Sequence, residues 1–307
     1  MCAIFGLLDY KGKLTAAQRL QIIKVLGTAA EVRGTDATGI AFLQRNRLCI
    51  QKAAKPAHKM KYRIPSDVHA IMGHTRMTTQ GSAKHNQNNH PFSGKAGNTA
   101  FALAHNGVLA NGRELRLLHN LPETEIETDS YVAVQLIEKQ NEVSPGSLTK
   151  MAELLEGHFT FTVLDQNNNL YFIKGNNPLT IYHFPMLGLY LYASTAEILD
   201  YALAVLRMED KYQIIQPEQG EILQIDRFGR QSITKFNTDK IDWDWPCTQW
   251  GFPVWPAAAV QDSYIAELKR IANIYGYDDD FVDQLLAEGF STDEIEDFIY
   301  CCKGAWE

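Results

Sequence analysis

The opening segment Cys2-Ala3-Ile4-Phe5-Gly6-Leu7-Leu8-Asp9 constrains the fold most. It is an apolar run of strand length, bounded by Asp9-Tyr10-Lys11-Gly12, and it reads as a buried strand followed by a turn. Cys2 heads that strand. Met1 is removed readily when the next side chain is small, and removal would leave Cys2 with both a thiol and a free α-amine. Cysteine reacts as its thiolate, and an adjacent amine is one way to activate an N-terminal nucleophile. The reference pKa of the amine, about 8, lies close to that of the thiol, about 8.5. On these residues alone two readings stay open: a nucleophile, or a small buried hydrophobe at the start of a strand.

Composition narrows the class. A chain of 307 residues, 45% hydrophobic, can bury one large core or two domains. A net charge of -7 gives no electrostatic reason to expect nucleic acid as a partner. The apolar runs are too short to cross a bilayer, and no signal-peptide pattern opens the chain. Five scattered cysteines do not form a disulfide framework, and no CxxC pair marks a zinc site. Cys301-Cys302 reads as the buried end of a helix. These features point to a reduced, cytoplasmic protein.

Along the chain, Thr15 is the expected N-cap of a helix through Leu26, with Gly27 as its stop. Ile40–Leu43 and Leu48–Lys52 read as a strand pair. Residues 68–76 read as a buried strand leading into a polar loop, 78–90, closed by Pro91. Thr99–His105 reads as a strand ending in a turn at Asn106-Gly107. Short helices follow from Arg113 and from Thr128-Asp129, and a third ends near Gly157. Strands are expected at 159–164, 170–174, 180–184 and 187–193, then a helix at 197–206. A last hairpin pairs 220–225 with 230–236. Residues 242–256 hold four of the five tryptophans together with several prolines, and three short helices are expected beyond. Ser291 and Glu294 fit a capping box there.

Five segments share an order behind Cys2: Arg33-Gly34-Thr35-Asp36, Gly73-His74-Thr75-Arg76, Asn88-Asn89-His90-Pro91, His105-Asn106-Gly107 and Glu127-Thr128-Asp129. In this order and spacing the chain resembles the class II glutamine amidotransferase domain, most closely the glutaminase half of glucosamine-6-phosphate synthase. Gly157-His158-Phe159, Lys174-Gly175-Asn176-Asn177-Pro178, Ala193-Ser194-Thr195 and Gly220-Glu221-Ile222 also fit. The resemblance covers residues 2–236. It implies an α+β fold, the four-layer αββα sandwich of the N-terminal nucleophile hydrolases. It leaves a connector at 237–260 and a small helical extension at 261–307.

The resemblance also implies site roles. Cys2 would attack the glutamine side-chain amide, with its own amine as base, through a γ-glutamyl thioester. Asn106 and Gly107 would donate to the oxyanion. Arg76 would pair bidentately with the α-carboxylate, which suits a guanidinium better than an ammonium. Thr79 would donate to the same group, the main chain of Gln80 would help, and Asp129 would pair with the α-ammonium. Arg33 and Gly34 would support the loop beside the cysteine, and His90 would line the pocket. His74, His85 and His105 read as structural. No metal or cofactor is implied.

The chain departs from the family pattern at Ala3, where Gly is usual, and at Met77, where the synthase has a Trp that gates ammonia. Only about 70 residues follow the domain. The expected partner is therefore a separate ammonia-accepting enzyme or subunit, with the C-terminal helices as a docking or homo-oligomer contact. Two other functions remain on this reading: an amidase acting on another γ-glutamyl amide, and a non-enzymatic glutamine-binding scaffold.

Overall fold

In the computed structural model, side chains alternate along β1 (Ala3–Asp9) into two separate apolar layers. Ala3, Phe5 and Leu7 pack with Ile22, Ile23 and Leu26 of α1 (Ala16–Ala29). Ile4 and Leu8 face the other way, toward Ala102, Ala104, Phe172 and Leu223. A strand with both faces covered needs apolar residues at every position, which explains the unbroken run in the sequence.

β1 pairs antiparallel with β4 (Ala70–Arg76) on one side and β10 (Leu189–Ala193) on the other. Beyond β4 lie β2 (Ala37–Gln44) and β3 (Arg47–Ala53). Beyond β10 lie β9 (Thr180–Phe184) and β11 (Gln213–Ile215), giving the order β11-β9-β10-β1-β4-β2-β3. A second antiparallel sheet contains β5 (Phe92–Ala96), β6 (Thr99–Leu109), β7 (Gly157–Asp165), β8 (Leu170–Lys174), β12 (Glu221–Ile225) and β13 (Gln231–Lys235). Its order is β13-β12-β8-β7-β6-β5.

α1 and α5 (Ala196–Leu206) cover the outer face of the first sheet. α2 (Gly112–Leu118), α3 (Tyr131–Lys139) and α4 (Pro145–Ala152) cover the outer face of the second. Three apolar clusters thus fill three interlayer spaces, and the architecture is the expected α+β, four-layer αββα sandwich.

Thr15 caps α1 through a reciprocal capping box with Gln18, as its sequence predicts. Gly27 does not stop that helix, which runs on to Ala29. Instead Gly27 lets the helix approach its neighbours: a Cβ there would meet the Tyr62 hydroxyl at 2.8 Å. The helix expected to end near Gly157 stops at Ala152, and Gly157 opens β7. β5 and β11 carry no clear strand pattern in the sequence. They are edge strands, each paired with a single neighbour.

The structure describes residues 2–241 and, further on, 265, 268, 269, 272, 277, 278, 280–288, 290 and 295. The Trp-rich connector, the Ser291/Glu294 cap and Cys301-Cys302 lie outside the described residues. The chain divides into two units at Trp243/Asp244. In the second, α6 (Phe281–Ala287) places Val282 in a small cluster with Leu268, Ala272 and Ile295, and Lys269 pairs with Asp283 at 2.6 Å. Among the described residues, no helix is long and apolar enough to cross a membrane.

β1 ends on a buried ion pair. Asp9 accepts from Arg19 at 2.9 Å and from the backbone N–H of Lys13 and Leu14, while Arg19 also donates to the carbonyls of Leu14 and Ser66. Removing one partner of such a pair strands the other charge without water. Arg19→Met should lower the unfolding free energy by about 3–5 kcal/mol in urea denaturation.

Candidate active site

Cys2 sits immediately before β1, and its thiol points at the carbonyl of Met77, 3.4 Å away. The segment 33–36 holds both sides of this contact. Arg33 Nε donates to the Cys2 carbonyl at 3.0 Å. Asp36 accepts from the Thr78 N–H at 2.8 Å, and its own N–H donates to the Arg76 carbonyl at 2.9 Å. Gly34 lies flat on the same peptide: a Cβ there would meet Arg76 C and Met77 N, each at 2.5 Å. The requirement for Gly34 is thus one of close approach. Ala3 is fully buried beside Thr75, so the methyl that departs from the family pattern is accommodated.

Arg76 ends β4 with its guanidinium buried. Nη1 donates to Asn89 Oδ1 at 2.7 Å, and Nη2 donates to the carbonyls of Gln80 and Gly81, the latter at 3.0 Å. No carboxylate among the described residues forms an ion pair with it. Burial lowers its pKa, opposed by the more distant charges of Cys2, Asp36, Asp129 and Glu127.

Asp129 is half-buried just before α3. It accepts from the Leu109 N–H at 2.6 Å and from the Ser130 N–H at 2.8 Å. It too lacks an ion-pair partner among the described residues. Burial raises the Cys2 thiol pKa; the positive amino-terminus, the Met77 carbonyl contact, Arg76 and Arg33 oppose that rise.

The Asn106-Gly107 pair corrects the sequence reading. It does not turn the chain. β6 continues through it to Leu109, with Asn106 opposite Thr160 and Gly107 opposite Phe159. Pairing with β7 overrides the local turn preference. Gly107 has φ +142°, and a Cβ there would collide with the His158 carbonyl, so glycine serves the strand rather than a hairpin. Asn106 is buried. The Ser194 hydroxyl accepts from the Ile4 N–H at 2.9 Å and from Asn106 Nδ2 at 3.5 Å, tying the amide to the strand that carries Cys2.

One tight cleft is lined by Cys2, Arg76, Thr79, Gln80, His90, Gly107 and Asp129. It therefore gathers most of the residues picked from the sequence. Asn106, Arg33 and Gly34 are not on its surface. Met77, noted only as a departure from the family pattern, lines it as well, together with His105, Thr128 and Ser130, which were not among the picked site residues. The motif His105-Asn106-Gly107 held one of these in view, but a histidine in a strand reads as core until its neighbours are known. The free space is only ≈ 10 Å³, room for about one water. The exposed segment 78–80, folded onto Arg76, must move to admit a larger ligand.

Three buried histidines stand around the cleft. His90 stacks between His74 and Phe92, with ring centroids 4.3 Å from each, and His105 lies on Phe161 at 4.4 Å. His74 bonds the His105 carbonyl at 2.9 Å, and His105 Nδ1 bonds Ser130 Oγ at 2.8 Å. Among the described residues, no cluster of His, Cys, Asp or Glu is arranged to hold a metal ion.

Comparison with known proteins points to one family. Residues 74–200 match the family described as glutamine amidotransferase domain. The glutamine–fructose-6-phosphate aminotransferase (isomerizing) of Listeria monocytogenes is 30% identical over 210 residues, 66% of this chain and 33% of that protein. The matched segment, residues 74–200, is a glutamine amidotransferase domain. The corresponding aminotransferase of Sulfurisphaera tokodaii is 28% identical over 308 residues, covering 94% of this chain and 49% of that one. The chain thus spans a third to a half of the length of these relatives. The glutamine phosphoribosylpyrophosphate amidotransferase of B. subtilis shares the fold, with a TM-score of 0.63 at 21% identity over 78% of this chain and 50% of that one.

Burial lowers the pKa of His74 from 6.5 to about 3 and that of His105 to about 4, and pushes His90 well below its ordinary value. In the unfolded chain these groups take up protons near pH 6.5, which the folded amidotransferase domain refuses until far lower pH. Their contribution to stability is complete above pH 6.5 and is lost as the pH falls toward 4. Urea unfolding at stepped pH should show stability dropping over that window by about 1.4 kcal/mol per pH unit for each histidine. A flat profile there would mean that the histidines are charged in the fold.

Proposed function

We propose that this domain, placed at residues 2–236, hydrolyses the side-chain amide of L-glutamine to glutamate and ammonia. One observation carries the reading. The cleft at Cys2 holds a buried cation, Arg76, and an anion, Asp129, neither of which has an opposite charge in contact among the described residues. Leaving such charges unpaired is costly, and a ligand bearing both a carboxylate and an ammonium satisfies the pair. A free amino-acid head group does that.

The chemistry follows from Cys2. With Met1 removed, its α-amine takes the thiol proton and Sγ attacks the amide carbon. The carbonyl oxygen becomes an oxyanion, for which the Gly107 N–H and the Asn106 amide are the proposed donors. The tetrahedral intermediate collapses: the C–N bond breaks, the amine returns a proton to the leaving nitrogen, and ammonia departs. A γ-glutamyl thioester remains. The same amine takes a proton from water, which attacks the thioester, and glutamate leaves as the thiol is restored. Thr79 and the Gln80 main chain complete the carboxylate side, once segment 78–80 has opened and closed again. Arg33, Gly34 and His90 hold the walls. The relatives are named as aminotransferases, and by analogy the ammonia passes to an acceptor enzyme or subunit.

Ammonia release from glutamine by purified protein, with candidate partners added, tests the reading. Cys2→Ala should abolish it, and mass spectrometry should find Met1 absent. Asn106→Ala should lower kcat by about 100- to 1000-fold, the usual effect of losing one oxyanion donor. Arg76→Lys should act mainly by raising KM. Release from other γ-glutamyl amides but not from glutamine would make the protein a different amidase. A retained Met1 with no ammonia release would leave only a binding role.

A further inference from the structure

Next to the loop that carries Asn89 lies an open groove of ≈ 600 Å³. Its polar lining is Gln51, Lys52, Lys61, Arg63, Asn86 and Ser93, and Ile50 and Met60 supply an apolar patch. No acid lines it, although the whole chain carries a net charge of -7. Among the described residues, none of the three cations takes part in an ion pair.

The walls are fastened. Gln51 exchanges two hydrogen bonds with the backbone of Arg63: Nε2 donates to its carbonyl at 2.5 Å, and Oε1 accepts from its N–H at 2.9 Å. Asn86 Nδ2 donates to the Lys52 carbonyl at 3.0 Å. Among the described residues, half-buried Lys52 donates from Nζ to two carbonyls, Asn89 at 2.6 Å and Pro91 at 3.3 Å, and lies over the Phe92 ring. Burial, with the nearby charge of Arg76, lowers its pKa to about 8, as expected where no acid compensates.

We propose that this groove binds a small phosphate monoester, its phosphate held by Lys52, Lys61 and Arg63 and its organic part resting on Ile50 and Met60. A dianion matches three cations lining one groove that no acid shares, and the guanidinium fork suits phosphate oxygens. Occupation has a route to the cleft. Lys52 holds the Asn89 carbonyl while the Asn89 side chain holds Arg76. A phosphate that draws the Lys52 ammonium away loosens Asn89 and alters how Arg76 receives a carboxylate. This link rests on the reading of Arg76 given above; the binding itself does not.

The test is isothermal calorimetry on the full chain, with glycerol 3-phosphate and inorganic phosphate as probes. Saturable binding of glycerol 3-phosphate, tighter than that of inorganic phosphate, is expected. The double variant Lys61→Glu/Arg63→Glu changes only exposed side chains and should bind at least about tenfold more weakly, with an unchanged circular dichroism spectrum. No binding, or equal binding by that variant, overturns the site. Equal affinity for both probes overturns the organic ligand in favour of free phosphate. Saturating glycerol 3-phosphate should shift the KM for glutamine by about threefold or more in the wild type and not in the variant; an unmoved wild-type KM overturns the link. Should the protein release no ammonia at all, the function proposed above fails while calorimetry still reads the groove.

Discussion

A buried guanidinium that no acid among the described residues meets organises the site. Arg76 cannot shed its charge, and water is excluded from it, so neutral oxygens must solvate it. Those oxygens come from the Asn89 side chain and the carbonyls of Gln80 and Gly81, two separate stretches of the loop after β4. The charge therefore folds the loop over itself and closes the cleft. The neighbouring backbone is held independently, by Asp36 on the Thr78 N–H and by Gly34 against the Arg76–Met77 peptide. The result is a floor at 76–77, anchored by these contacts, and a flap beyond it held by the cation beneath. Under the function proposed above, a ligand carboxylate competes with three neutral acceptors for one charge, and an anion makes the stronger bond to a guanidinium.

The histidines add a second constraint. Three rings pack around one wall, each too buried to carry a charge near neutral pH. Some of their ring nitrogens, including both of His90, have no hydrogen-bond partner. Such a wall offers polarity without charge. Next to a cleft that holds one cation and one anion, neutral neighbours leave the two unpaired by this wall.

Much of the fold was legible because its inner strands are covered on both faces. β1 and β10 are nearly unbroken apolar runs, and β4 is one as far as Gly73, so each has few alternatives. The edges were not legible. β5, Phe92-Ser93-Gly94-Lys95-Ala96, buries only its ends, and β11 is three residues long. At Asn106-Gly107 the local signal pointed to a turn, and the opposite strand decided otherwise. The family resemblance marked most of the cleft, since Cys2, Arg76 and Asp129 taken singly read as readily as structural residues. Asn89, Ser130 and Ser194 were harder: neutral side chains acquire a role only through the partner that the fold brings to them. Ser194 shows this best, since its two partners, Ile4 and Asn106, are distant in the chain.

The position of β1 has a consequence for the order of synthesis. It is an interior strand whose two neighbours are β4 and β10, so one of its edges stays unpaired until residue 193 has been made. During that interval the amino end is open to a peptidase that would remove Met1, as the function proposed above requires. Once β10 and Ser194 arrive, the same end is locked between strands. A nascent chain thus has a window for exposing its amine before the sheet closes, and a fragment that stops short of β10 would leave Cys2 at the head of a sheet edge rather than in a finished cleft.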